Sequence, residues 1–268
     1  MTDTNKTKTV VRMEIPGKPL AGQMALVTGA SAGIGAATAV RLAELGAAVV
    51  ASARRKEKLD GLVTHIQQMS GTALALATDS ADIAQIDHLL LTCEAWSKKI
   101  KCPLTIVVVN AGRGLAGGVT TSDESKWDYL YKLNVLGAAH LMRGAALHFV
   151  GQKRGDIVVL GSVSGHNISP FSGFYGSTKW AVAAIAESLR REVCGLGVRV
   201  TTIKPGIVES DFQDVAGYTH DNFHKSIERF GKVLVPSDVA HAIGFVVCQP
   251  QHVHINDLVI RPTGQDYP

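Results

Sequence analysis

Paired cysteines are the first thing this chain lacks. Cys93, Cys102, Cys194 and Cys248 stand too far apart for a Cys-x-x-Cys metal or redox motif, and their spacing suggests no disulfide framework. They read as free thiols in a reducing compartment. The ten histidines form no convincing ligand set. His220 and His224 are four apart and His252 and His254 two apart, with no nearby cysteine to complete a zinc site, so exposed loop histidines and no metal are expected. Charge is sparse as well: 19% of residues are charged and the net charge is only +4. No basic stretch is interleaved with aromatics, so nucleic-acid binding has no support. No apolar run approaches the roughly twenty residues that cross a bilayer. The polar, threonine-rich start, MTDTNKTKTV, lacks the apolar segment of a secretory signal. A cytoplasmic protein with no membrane or nucleic-acid partner is expected.

What is present is alternation. Hydrophobic residues make up 46% of 268, enough for a sizeable core, and strand and helix patterns alternate along most of the chain. One α/β domain over 21–268 is expected, preceded by a flexible extension over 1–20 that ends in Ile15-Pro16-Gly17-Lys18-Pro19. Strands are expected at Met24–Thr28, Ala47–Ser52, Thr72–Ala77, Thr105–Val109, Asp156–Gly161, Val198–Ile203 and Asp257–Ile260. The five apolar or β-branched residues Thr105 to Val109 suit a strand buried on both faces of a parallel sheet. Helices are expected at Ala36–Leu45, Lys56–Met69, Asp82–Lys99, in two segments from Glu124 to Val150, after Lys179, and at Pro236–Val247. The segment 211–235, of mixed polarity with four aromatics, interrupts the alternation and reads as a substrate lid.

The first strand runs into Gly29-Ala30-Ser31-Ala32-Gly33-Ile34-Gly35 and then a helix. A strand, a glycine-rich turn and a helix start make a phosphate cradle, because glycine lets the backbone approach an anion and free N–H groups attract it. The bland alternative is a tight turn with no ligand. Dinucleotide folds often carry an acid after the second strand to hold a ribose 2′-hydroxyl. Here Arg54 and Arg55 stand instead, which favours a 2′-phosphate and NADP(H) over NAD(H), with Arg54 expected to do the work. Asp79 ends the third strand, where open α/β sheets bind ligands; it could equally cap the next helix. Asn110-Ala111-Gly112 ends the fourth strand with small residues past which a flat ligand can lie. Asn134 sits in an apolar helix, either satisfied locally or placed for a purpose.

Ser162 follows the fifth strand. Tyr175 and Lys179 are four apart at the start of a helical run, so they share one face. A hydroxyl, a phenol and an ammonium in one space can form a proton-handling site.

These elements, taken together with Asn134 and with Pro205-Gly206 after the sixth strand, occur in the order and spacing of the short-chain dehydrogenases/reductases, which the chain resembles over about residues 20–262. The ending Ile260-Arg261-Pro262-Thr263-Gly264-Gln265 further resembles NADP-dependent members of the clavulanate dehydrogenase and short-chain 3-hydroxy acid dehydrogenase type. The resemblance implies a doubly wound Rossmann fold with seven parallel strands in the order 3-2-1-4-5-6-7 and helices on both faces. It implies hydride transfer between NADP(H) and the carbonyl or alcohol carbon of a small molecule. Tyr175 would be general acid in reduction and base in oxidation, and Lys179 with the positive nicotinamide ring would draw the phenol down from its usual pKa of about 10. Ser162, rather than the nearby Ser164, would hydrogen-bond the substrate oxygen, and Asn134 would hold a water that relays protons to Lys179. Gly29, Ser31, Ala32, Gly33, Ile34, Gly35, Asp79, Ser80, Asn110, Ala111, Gly112, Pro205, Gly206 and Ile207 would line the cofactor, with Lys179 on the nicotinamide ribose. Ser210 replaces the usual threonine and keeps a hydroxyl for the nicotinamide amide. Ala32 replaces the basic residue of some NADP-binding members, which leaves phosphate selection to Arg54 and Arg55. A homodimer or homotetramer is expected. A 3-oxoacyl-thioester reductase and a non-catalytic dinucleotide-binding regulator are the alternatives; a regulator would be expected to have lost Tyr175 or Lys179.

Overall fold

The computed structural model describes residues 17–210, 212–217 and 228–267. Most of the expected extension (1–16) and the middle of the expected lid (211 and 218–227, with His220 and His224) lie outside the described residues. Seven strands, β1 (Met24–Thr28), β2 (Ala48–Ala53), β3 (Ala73–Ala77), β4 (Leu104–Val109), β5 (Gly155–Leu160), β6 (Val198–Pro205) and β7 (Asp257–Ile260), form one sheet in the order β3-β2-β1-β4-β5-β6-β7. Every neighbouring pair is parallel.

The strands are apolar on both faces because both faces are covered. Side chains alternate across a strand. In β1, Ala25 and Val27 enter one core with Leu42 of α1 (Gly33–Glu44), Leu59 and Ile66 of α2 (Lys56–Gln68) and Ile243 of the helix Pro236–Val247. Met24 and Leu26 enter the other with Ile86 and Leu89 of α3 (Ile83–Ile100), and with Phe149 and Val182. Phe149 belongs to a long helix in three parts, α4 (Trp127–Tyr131), a π-helical turn (Lys132–Gly137) and α5 (Ala138–Gln152). Val182 belongs to α6 (Gly173–Val193). The short α7 (Phe212–Ala216) and α8 (Pro236–Val247) follow. The order reverses between β1 and β4, and the crevice at such a switch point is where doubly wound sheets bind ligands.

Four expectations change. Residues 17–20 are not a free extension: Leu20 is buried beside Leu45 and its N–H donates to the Leu45 carbonyl at 3.0 Å. Asp79 does not cap α3. Asp82 does, accepting from Ala84 N (2.9 Å) and Gln85 N (3.2 Å), while Asp79 Oδ1 closes the preceding turn on Ala81 N. β6 runs on past the expected end at Ile203 through Lys204 and Pro205, and the Lys204 ammonium is matched by Asp257 on β7 at 2.9 Å. His254 is not an exposed loop residue, since its Nε2 hydrogen-bonds the Val200 backbone at 2.9–3.0 Å.

Candidate active site

A cleft of about 890 Å³ opens along the carboxyl ends of the strands. It brings together every residue expected to touch cofactor or substrate. Asn134 alone of the expected set lies behind the wall, buried.

At one end is the turn between β1 and α1. Gly29 and Gly33 have φ of +66° and +55°, a region that disfavours side chains. A Cβ on Gly35 would stand 2.4 Å from the Gly29 carbonyl oxygen and 2.5 Å from Asn110 Nδ2, so the helix start can press on the turn only as glycine. Asn110 explains the contact: its amide donates to the Thr28 (2.8 Å) and Gly29 (3.3 Å) carbonyls, tying the end of β4 to the turn. Thr28 Oγ1 returns the tie by accepting from Asn110 N and Ala111 N. No side chain caps the N-terminus of α1 at Ala32. Its first residues line the cleft with N–H groups that no side chain caps, which is what an anion site requires. Ser210, from the segment after β6, closes over Gly33, with its Cβ 3.5 Å from where a Gly33 Cβ would be.

The two arginines diverge. Arg55 donates from Nε and an Nη to Ser31 Oγ at 3.1 and 2.9 Å, beside the turn. Arg54, the expected partner for a phosphate, donates instead to the hydroxyl of Tyr129 at 2.9 Å, with its guanidinium 6.0 Å over that ring.

At the other end, Ser162 leaves β5 in extended backbone and accepts from Ser164 N at 3.1 Å, which starts a turn over Val163–Gly165. Gly165 lies so close to α6 that a Cβ would meet the Lys179 backbone at 2.8 Å. That contact sets Ser162 beside the Tyr175–Lys179 face. Tyr175 is buried in a small cluster with Leu115 and Leu130, under the stacked rings of Trp127 and Phe174. Lys179 is buried, its Nζ 5.9 Å from the centre of the Tyr175 ring and 2.6 Å from the Leu160 carbonyl. Burial pushes its pKa down to about 8.

Asn134 is satisfied locally. Its Oδ1 accepts from Arg113 N at 2.9 Å, and its Nδ2 donates to Arg113 O at 2.8 Å and Thr178 Oγ1 at 3.1 Å. Both donors are used, while a carbonyl-type oxygen keeps a second lone pair. Oδ1 and Lys179 Nζ border the same space beside Gly112, at 3.3 and 3.7 Å from where a Cβ would sit. The π turn carries this asparagine, and such turns cluster at functional sites.

Sequence reasoning missed Tyr129 and Val208, and it noted the tail after β7 for its resemblance without placing it at the cleft. Val208 lies between Ile207, whose carbonyl accepts from Leu234 N, and Glu209, whose N–H donates to Leu234 O. Alternation of an extended segment turns the Val208 N–H away from Leu234, and Val208 itself lines the cleft. Parity along the chain was the one signal for it. Gln265 accepts from Ile207 N at 2.9 Å and lines the cleft with Tyr267. No local pattern places either at the cleft.

Residues 23–219 match the family model described as short chain dehydrogenase. An uncharacterised oxidoreductase of Staphylococcus aureus is 32% identical over 243 residues, 91% of this chain and 98% of that one. An uncharacterised oxidoreductase of Staphylococcus epidermidis is 32% identical over 90% of this chain and 97% of its own. Among solved structures, the closed form of a serine dehydrogenase complexed with NADP+ superposes with a TM-score of 0.81 at 30% identity, covering 91% of this chain and 97% of that one. A metagenomic short-chain oxidoreductase in complex with NADP gives 0.77 at 30% identity, covering 91% and 99%.

Proposed function

The chain belongs to the short chain dehydrogenases, and from that premise we propose that it is an NADP(H)-dependent oxidoreductase interconverting a small-molecule carbonyl and its alcohol. One observation carries the reading: a single cleft joins the Gly29–Gly35 turn to the Ser162, Tyr175 and Lys179 side chains. The turn fits a dinucleotide, since Gly35 leaves room for nothing but backbone and the α1 N–H groups have no side-chain cap. The serine dehydrogenase and the metagenomic enzyme, both complexed with NADP, support the choice of cofactor.

In this reading α1 and Ser31 hold the pyrophosphate. Arg55, already directed at Ser31, takes the 2′-phosphate, and Arg54 flanks it from the Tyr129 side. Asp79, Ser80, Asn110, Ala111 and Gly112, which line the cleft, would wall the adenosine and ribose, and Pro205, Gly206, Ile207, Val208 and Ser210 would border the nicotinamide amide. A nicotinamide held there would supply or accept the hydride. Ser162 donates a hydrogen bond to the substrate oxygen, where negative charge grows during reduction. Tyr175 gives its phenolic proton to that oxygen. Lys179, still an ammonium at neutral pH, stabilises the phenolate left behind. A water between Lys179 Nζ and the spare lone pair of Asn134 Oδ1 returns the proton. In oxidation the same groups act in reverse.

The outward faces of α5 and α6 expose Leu136 (in the adjoining π turn), Leu147 and Trp180, an apolar surface that supports the reading of a homodimer or homotetramer.

The test is titration and turnover together. Wild-type protein binds NADPH about tenfold more tightly than NADH, as expected of a charge-assisted phosphate contact. Tyr175→Phe binds NADPH as the wild type does and loses turnover by a factor of at least about 100. Retained turnover in that variant would mean a different proton donor.

A further inference from the structure

The substrate end of the cleft has its own chemistry. Beyond Tyr175 the walls come from four separate segments, and each contributes an aromatic ring. Phe212 of α7 packs on Tyr175 itself, with ring centres 5.7 Å apart and planes tilted by 60°. Phe171, from the loop before α6, lines the cleft with 72% of its surface exposed, a large apolar side chain with little protein against it. Phe230, only 9% exposed, also lines the cleft, and Tyr267 arrives from the tail after β7. The Tyr267 hydroxyl donates to the Ile168 carbonyl, so the tail bridges from the β7 side to the loop that bears Phe171.

Among the described residues that line this end, the charged one, Arg229, has a partner. Arg229 lines the cleft, and its guanidinium is paired with both Asp266 oxygens at 2.9 and 3.0 Å. It lies 5.0 Å over the Phe230 ring. Both bonds leave from one Nη, so a substrate carboxylate reaching the other guanidinium N–H groups would share that charge with Asp266. Rings arranged around a reacting carbonyl favour a flat, apolar partner, through offset and edge-to-face contacts.

We propose that the substrate is an aryl carbonyl compound, its ring seated among Phe171, Phe212, Phe230 and Tyr267, and that Tyr267 is the specificity-determining residue of this subsite. The inference rests on the oxidoreductase reading above and sharpens its substrate class. It sets an uncharged aromatic ketone or aldehyde against an oxo acid or an acyl thioester.

The experiment compares three probes in NADPH oxidation: acetophenone, 2-octanone with the same number of carbons, and acetoacetate. The expected order of kcat/KM is acetophenone over 2-octanone by about tenfold, with acetoacetate slower still. Tyr267→Ala raises the KM for acetophenone by about tenfold, moves that for acetoacetate little, and leaves the NADPH Kd and the melting temperature unchanged. Tyr267→Phe, which keeps the ring and loses the tie to Ile168, falls between. Acetoacetate as the preferred probe, or an equal KM change for all three in Tyr267→Ala, overturns the aromatic subsite while leaving the oxidoreductase reading intact. Failure to bind NADPH, or bound NADPH with none of the three probes turned over, overturns the oxidoreductase reading and this inference with it.

Discussion

Lys179 shows what the site costs at the scale of one residue. An ammonium buried against a carbonyl, with its pKa lowered from 10.5 to about 8, is carried by the folded protein at a penalty. The sign follows from proton counting. Below about pH 8 both folded and unfolded chains hold the proton. Between about 8 and 10.5 the folded chain releases it first, so the stability of the wild type gains as pH rises through that window. Lys179→Met removes the titration. The stability of that variant relative to wild type is therefore expected to be higher at pH 7 than at pH 10 by on the order of 2 kcal/mol, read from urea unfolding at each pH. Turnover is lost at both. An unchanged difference would mean that Lys179 titrates as an exposed lysine does. Lys179 and Tyr175 were legible in the sequence because both sit on one helix, where spacing alone fixes who shares a face. Tyr129 was not, because its partner Arg54 lies 75 positions away and only the folded chain brings them together.

Elements were legible at their centres and less so at their ends. β4 and β7 carry continuous or edge-type patterns that leave little choice, whereas β6 runs on past its expected end at Ile203 through Lys204 and Pro205. Arg199 is a sharper case of the same problem. It reads as a polar interruption in a strand, yet its guanidinium is buried and binds Asp156 of β5 through both oxygens at 2.6 and 2.9 Å. It also donates to the carbonyls of Gln249, Pro250 and Val253 at 2.9–3.0 Å. One side chain thereby fastens β6 to β5 and to the chain leaving α8. Arg199→Met leaves Asp156 buried without its partner and is expected to cost roughly 3–5 kcal/mol in denaturant unfolding. A cost under about 1 kcal/mol would show that water replaces the guanidinium.

For the whole molecule, the order of the strands and the place of the cleft followed from the family resemblance and the position of the glycine-rich turn. The tail after β7 did not, since nothing local tells a chain end that hangs free from one that lies across a cleft. Among the described residues no helix is long and apolar enough to cross a membrane. Leu136, Leu147 and Trp180 are exposed, and the proposed oligomer would cover them. Light scattering is expected to return two or four times the mass of the chain, and Leu147→Glu to shift the population toward monomer. A monomeric wild type at micromolar concentration would leave this face to another partner.

The strand order also sets a schedule for synthesis. β1 pairs with β2 at once but with β4 only after Leu104 to Val108 exist, some eighty residues later. The Asn110 amide that backs Gly29 and Gly35 arrives with that same stretch. While β1 to β3 emerge from the ribosome, the phosphate cradle is therefore incomplete. Cofactor is expected not to brace a chain that ends before β4, whose pairing also covers the β1 edge. That interval, several seconds at about 5–20 residues per second, is when a chaperone has most to shield.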